Sequence, residues 1–109
     1  MSLVSFENFK KIDMRTGVIV EVERVPNTKK LYKVKVDLGE LGIKQTVSGL
    51  VGYYNEEELL HKSIIFLTNL EPAKIAGETS QGMLLAAEMG DKVVLLTTDR
   101  EIEKGARVT

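Results

Sequence analysis

Two stretches early in the chain alternate their side chains with a period of two, and nothing else in the sequence limits the fold as strongly. Val18, Val20 and Val22 interleave with Ile19, Glu21 and Glu23, and Tyr32, Val34 and Val36 interleave with Leu31, Lys33, Lys35 and Asp37. Successive side chains of a strand point to opposite faces, so both stretches read as strands with one face toward a core. Val25-Pro26-Asn27-Thr28 separates them as a turn, because proline cannot donate to a ladder. Gly39 and Gly42 mark a second turn, leading into a third strand through Gln45, Thr46 and Val47.

A helix signal follows. Asn55 is a good N-cap, and Glu58 three residues later completes a capping box. Glu56, Glu57 and Glu58 sit at the positive end of the helix dipole, which explains the acidic triplet better than a metal site does. Tyr54 before the cap and Leu59 at the fourth helical position fit a hydrophobic staple. Another short helix is expected after Ser5, with Phe6, Phe9 and Ile12 on a side able to cover an end of the core. Ile64-Ile65-Phe66-Leu67 reads as a strand buried on both faces. A polar loop is expected from Asn69 to Gln81, then strands over Met83 to Ala87 and Val93 to Leu96 around a Gly90-Asp91 turn. The tail from Asp99 to Thr109 suits a last turn and a short edge strand.

Three strands, a short helix, then two strands is the element order of an all-β five-stranded Greek-key barrel, the OB-fold. With 109 residues, 43% hydrophobic and 28% charged, the chain is expected to be one globular domain over 1–109. No apolar run approaches the roughly 20 residues that span a bilayer, and no signal-peptide pattern opens the chain. A cytoplasmic protein without membrane contact is therefore expected. Absent cysteine excludes thiol nucleophiles, Cys-ligated zinc and iron–sulfur clusters, and the single histidine, His61, excludes a His-rich metal site. His61 reads as a solvent-facing residue near the end of the second helix. No phosphate-binding glycine motif or HExxH is present, so no catalytic residue, metal or cofactor is expected, and the chain is read as noncatalytic.

The net charge of −1 announces no nucleic-acid partner, so position has to carry the signal. Arg24, Lys29, Lys30, Lys33 and Lys35, five of the fifteen cations, lie between Arg24 and Val36 with no acid among them. Such a cluster can neutralise phosphates, or it can be an ordinary solvated strand whose lysines blunt the sheet surface. The segment from Asn69 to Met83 is long for so small a domain and offers Asn69, Lys74, Ser80 and Gly82. Its polar groups suit backbone contacts to a nucleic acid, or equally the internal needs of a turn-rich loop with Met83 in the core.

Several motifs together carry a resemblance. These are Asp13-Met14-Arg15-Thr16-Gly17, Pro26-Asn27 with Lys30-Leu31, Val47-Ser48-Gly49-Leu50, and above all NLEPAKIAGETSQGMLLAA from Asn69 to Ala87. From Phe6 to Val108 the chain resembles the tRNA-binding domain of the methionyl-tRNA synthetase C-terminal or beta-subunit type, within the EMAP-II-like OB-fold family. GYYNEEELL leans toward the methionyl type. The resemblance implies a domain that binds tRNA by shape and assists the synthetase, with homodimers expected. It also carries Asn27, Lys30, Lys33, Ser48, Asn69, Lys74, Ser80, Gly82 and Met83 over as RNA-binding positions, and the charge cluster adds Lys29 and Lys35. Family members often have His and Asp where this chain has Val25 and Lys29, and Lys where it has Val18. The alternative within the same fold is a secretion-chaperone-like protein that binds peptides in apolar grooves.

Overall fold

A single long strand organises the molecule. The computed structural model describes residues 1–109 as α1 (Phe6–Lys10), β1 (Met14–Arg24), β2 (Tyr32–Asp37), a 3-10 turn (Gly39–Leu41), β3 (Ile43–Ser48), α2 (Glu56–Leu59) and β4 (Ser63–Leu67), followed by β5 (Ala73–Ile75), β6 (Glu78–Ser80), β7 (Met83–Leu84), β8 (Ala86–Met89) and β9 (Lys92–Leu95). β1 is antiparallel to β2 along Val18–Arg24 and to β4 along Met14–Val18. The edge left free beside Met14–Thr16 is taken by the C-terminal tail. There Thr16 N–H donates to Ala106 O (2.9 Å), and the Gly105 and Val108 N–H groups donate to Thr16 and Met14 carbonyls. The tail thus pairs as expected of an edge segment, though through one isolated bridge, Arg15 with Arg107, rather than a full strand.

The main sheet runs β3-β2-β1-β4-β7, all neighbours antiparallel. Its two ends approach each other and bond. Gln81 N–H donates to Gln45 O (2.8 Å) and Thr46 Oγ1 to Gly82 O (2.9 Å), while Ser80 Oγ accepts from Val47 N–H (3.1 Å). The five strands therefore form a nearly closed barrel, the OB-like architecture expected from element order. Inside it pack Ile19, Tyr32, Val34, Val36, Leu38, Leu50, Leu59, Ile64, Phe66, Leu84 and Leu95. Phe66 and Leu59 are fully buried, each side chain contributing about 1.5–3 kcal/mol by leaving water.

β2 alternates as its sequence dictates, with Tyr32, Val34 and Val36 inward. β1 does not. Its register passes from Ile19 opposite Val36 directly to Glu21 opposite Lys35, so Val20 is the extra residue of a β-bulge. The bulge flips the phase: Ile19 is buried before it and Val22 packs on the core after it, while Val20 is exposed. Val18, Val20 and Val22 thus do not share one face.

α2 has the expected capping box, with Glu58 N–H bonded to Asn55 Oδ1 at 2.7 Å and Asn55 N–H to Glu58 Oε1 at 2.9 Å. Leu59 plugs the barrel. His61, just past the helix, is exposed and left-handed (φ 68°), its N–H donating to Ile19 O. α1 is capped by Ser5 as expected but buries no residue. Phe6, Phe9 and Ile12 face solvent beside Val108, because the core closes without them. The polar stretch after β4 is a hairpin, β5–β6, rather than an irregular loop. Ala76 and Gly77, both at positive φ, make its two-residue turn. The segment Met83–Ala87 divides into β7 in the barrel and β8, which pairs with β9 in a ribbon of its own.

Candidate nucleic-acid interface

The residues singled out in the sequence fall into two groups. The first is spent inside the protein. Lys33 and Lys35 project from the outer face of β2, where cross-strand register puts Glu23 and Glu21 of β1 directly opposite. Lys35 Nζ lies 3.2 Å from Glu21, and Lys33 Nζ lies 3.7 Å from Glu23 and 3.3 Å from Glu78 of β6. The Glu78 carboxylate, accepting a hydrogen bond from Lys33, holds the lysine's proton more firmly than usual, and the charges of Glu23 and Glu78 add to it. Two of the five cations in the acid-free window, Lys33 and Lys35, are therefore paired in space with acids of a neighbouring strand and a hairpin. In the unliganded chain these two lysines are therefore ion-paired rather than free.

Ser80 is 6% exposed. Its hydroxyl accepts from Val47 N–H and meets Thr46 Oγ1 at 3.1 Å, closing the barrel seam. Gly82 is buried beside β4, where a Cβ would fall 2.6 and 2.7 Å from Phe66 ring carbons. Asn69 is exposed, yet its side-chain amide is engaged. Oδ1 accepts from Asp13 N–H at 2.9 Å, and Nδ2 donates to Lys11 O at 2.5 Å, tying the end of α1 to the end of β4. Beside it, the Thr68 hydroxyl donates to Asp13. That bond, with help from Arg15, holds the Asp13 carboxyl below its ordinary value against the opposing effect of burial. Ser80 and Gly82 are thus buried in the seam, while Asn69 is exposed with its amide held by Asp13 and Lys11.

The second group stays open to solvent. Asn27 sits in the β1–β2 turn at φ 64°, exposed together with Lys29 and Lys30, and neither lysine has a carboxylate partner. Arg24 stiffens this turn by donating to Thr28 O at 3.3 Å. Lys30 O accepts from Val51 N–H, which draws the turn against the chain leaving β3. There a groove of about 380 Å³ is lined by Lys30, Ser48, Tyr53, Met83, Glu88 and Val93, among others. Lys74 stands exposed and unpaired on β5, in the hairpin that joins the barrel at Ser80, next to the same end of β3. Lys30, Ser48 and Met83 thus line one groove at the barrel end, Asn27 and Lys29 stand in the turn that carries Lys30, and Lys74 stands on the hairpin whose β6 packs against β3. Sequence reasoning missed Tyr53 in the groove and Glu78 on Lys33. An exposed aromatic close to a lysine cluster was the available signal for Tyr53.

Comparison with known proteins decides the family. The family described as "Putative tRNA binding domain" matches residues 14–107. The chain belongs to this tRNA-binding domain family. It is 56% identical over 108 residues to the methionine–tRNA ligase of Pyrococcus furiosus, covering 99% of this chain and 15% of that protein. Among solved structures it resembles a MetRS-related protein from Pyrococcus horikoshii, with TM-score 0.93 and 40% identity over the whole of both chains. It also resembles a CsaA chaperone protein from Picrophilus torridus, with TM-score 0.90, 35% identity, 98% of this chain and all of the other.

The tRNA-binding domain, then, offers an open end with unpaired Lys29 and Lys30, one exposed tyrosine and a serine hydroxyl, and a further unpaired lysine, Lys74, on the β5–β6 hairpin. Lysines can neutralise phosphates, and the groove can take a flat apolar group against Tyr53 and Met83.

Proposed function

We propose that the domain, one unit over 1–109, is a noncatalytic module that binds folded tRNA by its shape and backbone and serves methionyl-tRNA synthetase. It does so either within the synthetase chain or as a separate beta subunit. Lys29 and Lys30, without ion-pair partners, at the Ser48–Tyr53–Met83 groove that Glu88 also lines, together with the unpaired Lys74 on the β5–β6 hairpin, carry this reading. The lysines draw in phosphates and release counterions, while Ser48 bonds a ribose or phosphate oxygen and Tyr53 receives an exposed base or sugar face. Contacts of this kind fix position without reading sequence, so many tRNAs are accepted. Tethered to a catalytic unit, the module raises the local concentration of tRNA without touching the chemistry. It works in the cytoplasm as a homodimer, which doubles the surface offered.

Filter binding of bulk tRNA across a salt series tests the reading. Three phosphate contacts predict log K falling with log salt at a slope of about −2 to −3. Absence of binding, or a flat salt response, overturns it. The likeness to a chaperone at 35% identity supports a second reading, peptide binding in the same groove. Suppression of aggregation of an unfolded client, with no affinity for tRNA, would establish that reading instead.

A further inference from the structure

The β5–β6 hairpin that carries Lys74 has little of its own to hold it. Every residue of β5 is exposed, and its attachment to the barrel passes through β6. Beyond the Ser80 bonds to Val47 and Thr46 at its root, two barrel side chains reach it. One is Gln45, whose Nε2 donates to Thr79 O at 2.8 Å and whose N–H donates to Gln81 Oε1 at 2.9 Å. The other is Lys33, whose Nζ is 3.3 Å from Glu78 Oε1. Glu78 opposes Ile75 in the hairpin ladder, and its neighbour Thr79 opposes Lys74. The Lys33 side chain is only 23% exposed, lying beside Val47, whose N–H holds Ser80 at the root of the hairpin.

We infer that Lys33 is a positioning residue: its ion pair with Glu78 sets the β5–β6 hairpin so that Lys74 faces the RNA. The inference rests on the tRNA-binding reading and deepens it, because it assigns one lysine of the family-implied set to geometry and another to contact. A lysine clasped by two carboxylates neutralises no phosphate and releases no counterion, so its loss leaves the salt slope where it was. Loss of Lys74 changes the slope.

The test measures tRNA affinity across salt for five variants of the intact chain. Glu78→Gln and Glu23→Gln remove the same charge, but only Glu78 belongs to the hairpin. Glu78→Gln is expected to bind roughly two- to fivefold more weakly than Glu23→Gln, the range that a half-exposed ion pair supplies. Lys33→Met should weaken binding to a similar extent with an unchanged slope, and the exchange Lys33→Glu with Glu78→Lys should restore affinity at constant net charge. Lys33→Arg, which keeps the pair, should bind as the wild type does. Without RNA, amide hydrogen exchange of Gln81, whose N–H bonds Gln45 O where the hairpin joins the barrel, reads the attachment of the hairpin, and it should quicken by a similar factor in Lys33→Met. If Glu78→Gln binds as tightly as Glu23→Gln, or Lys33→Met lowers the slope by about 0.9, the positioning role is overturned and tRNA binding stands. If the wild type itself shows no salt-dependent tRNA affinity, both fall together.

Discussion

Two regions of the barrel carry the same kinds of polar residue and use them in opposite ways. Along the outer face of β2 and the seam between β3 and β7, each group has a protein partner. Lys35 meets Glu21, Lys33 meets Glu23 and Glu78, and Ser80 meets Val47 and Thr46. In the turn beside the groove and on the β5–β6 hairpin, Lys29, Lys30 and Lys74 have none. A partnered group contributes to holding the barrel together, and its charge is cancelled at the surface. An unpartnered lysine adds nothing to the fold and leaves its whole charge for a ligand. Lysines in sequence count toward an interface only after the strand register has taken its share.

The comparison breaks if a change in the seam alters RNA binding while the fold stays intact. Gly82→Ala should have the largest effect, since its Cβ would collide with the Leu67 carbonyl oxygen of β4 as well as with the buried Phe66 ring. Overpacking of this kind costs about 1–3 kcal/mol. Ser80→Ala orphans the buried Val47 N–H and costs a similar 1–3 kcal/mol. Thermal unfolding should register both, falling roughly 4–8 °C for each kcal/mol lost. The fraction still folded should keep the wild-type salt slope for tRNA.

At the open end the expectation reverses. Lys74→Met should leave the thermal midpoint unchanged and lower tRNA affinity roughly tenfold at 0.1 M salt, with a slope shallower by about 0.9. Lys30→Met should behave alike. A fall in melting temperature for either variant would erase the distinction between the two regions.

Part of this division was legible in the sequence and part was not. The turn chemistry of Pro26-Asn27, the capping box of Asn55 and Glu58, and the alternation of β2 are local, and local signals survive folding unchanged. The bulge at Val20 is not local. It depends on which β2 residue each β1 residue faces, and it decided which side of β1 entered the core. The neutralisation of Lys33 and Lys35 likewise requires the register, because the acids come from another strand and from a hairpin more than forty residues later. Ser80 and Gly82 have a packing role at the seam that the sequence alone does not show, because the groups they meet come from β3 and β4.

Acid sharpens the contrast in a third place, where the tail and α1 are tied down. Asp37 is held below its ordinary value of 3.8, chiefly by the Gly39 N–H and then by Lys104, which lies 3.0 Å away in the tail. Asp13 is lowered chiefly by Thr68. A carboxyl depressed in the folded state stabilises fully above the unfolded value and loses that contribution as pH falls through the lower folded value. Thermal midpoints should therefore hold steady down to about pH 4 and drop below it. Asp37→Asn should flatten part of that drop, and an unchanged acid profile in that variant would remove the tail from the set of partnered regions.

Lys35→Met is the smallest effect and the most direct control. Lys35 and Lys74 are both lysines on short strands, and a charge count along the chain cannot separate them. Lys35 and Glu21 are each about half exposed, so their pair contributes well under 1 kcal/mol to stability. Its loss frees Glu21, a carboxylate on the flank of the barrel that faces away from the core. If the flank is outside the RNA footprint, tRNA affinity shifts less than twofold and the salt slope stays put. If instead the slope falls as it does for Lys74→Met, RNA displaces Glu21 when it binds, and the footprint extends from the barrel end down the outer face of β2.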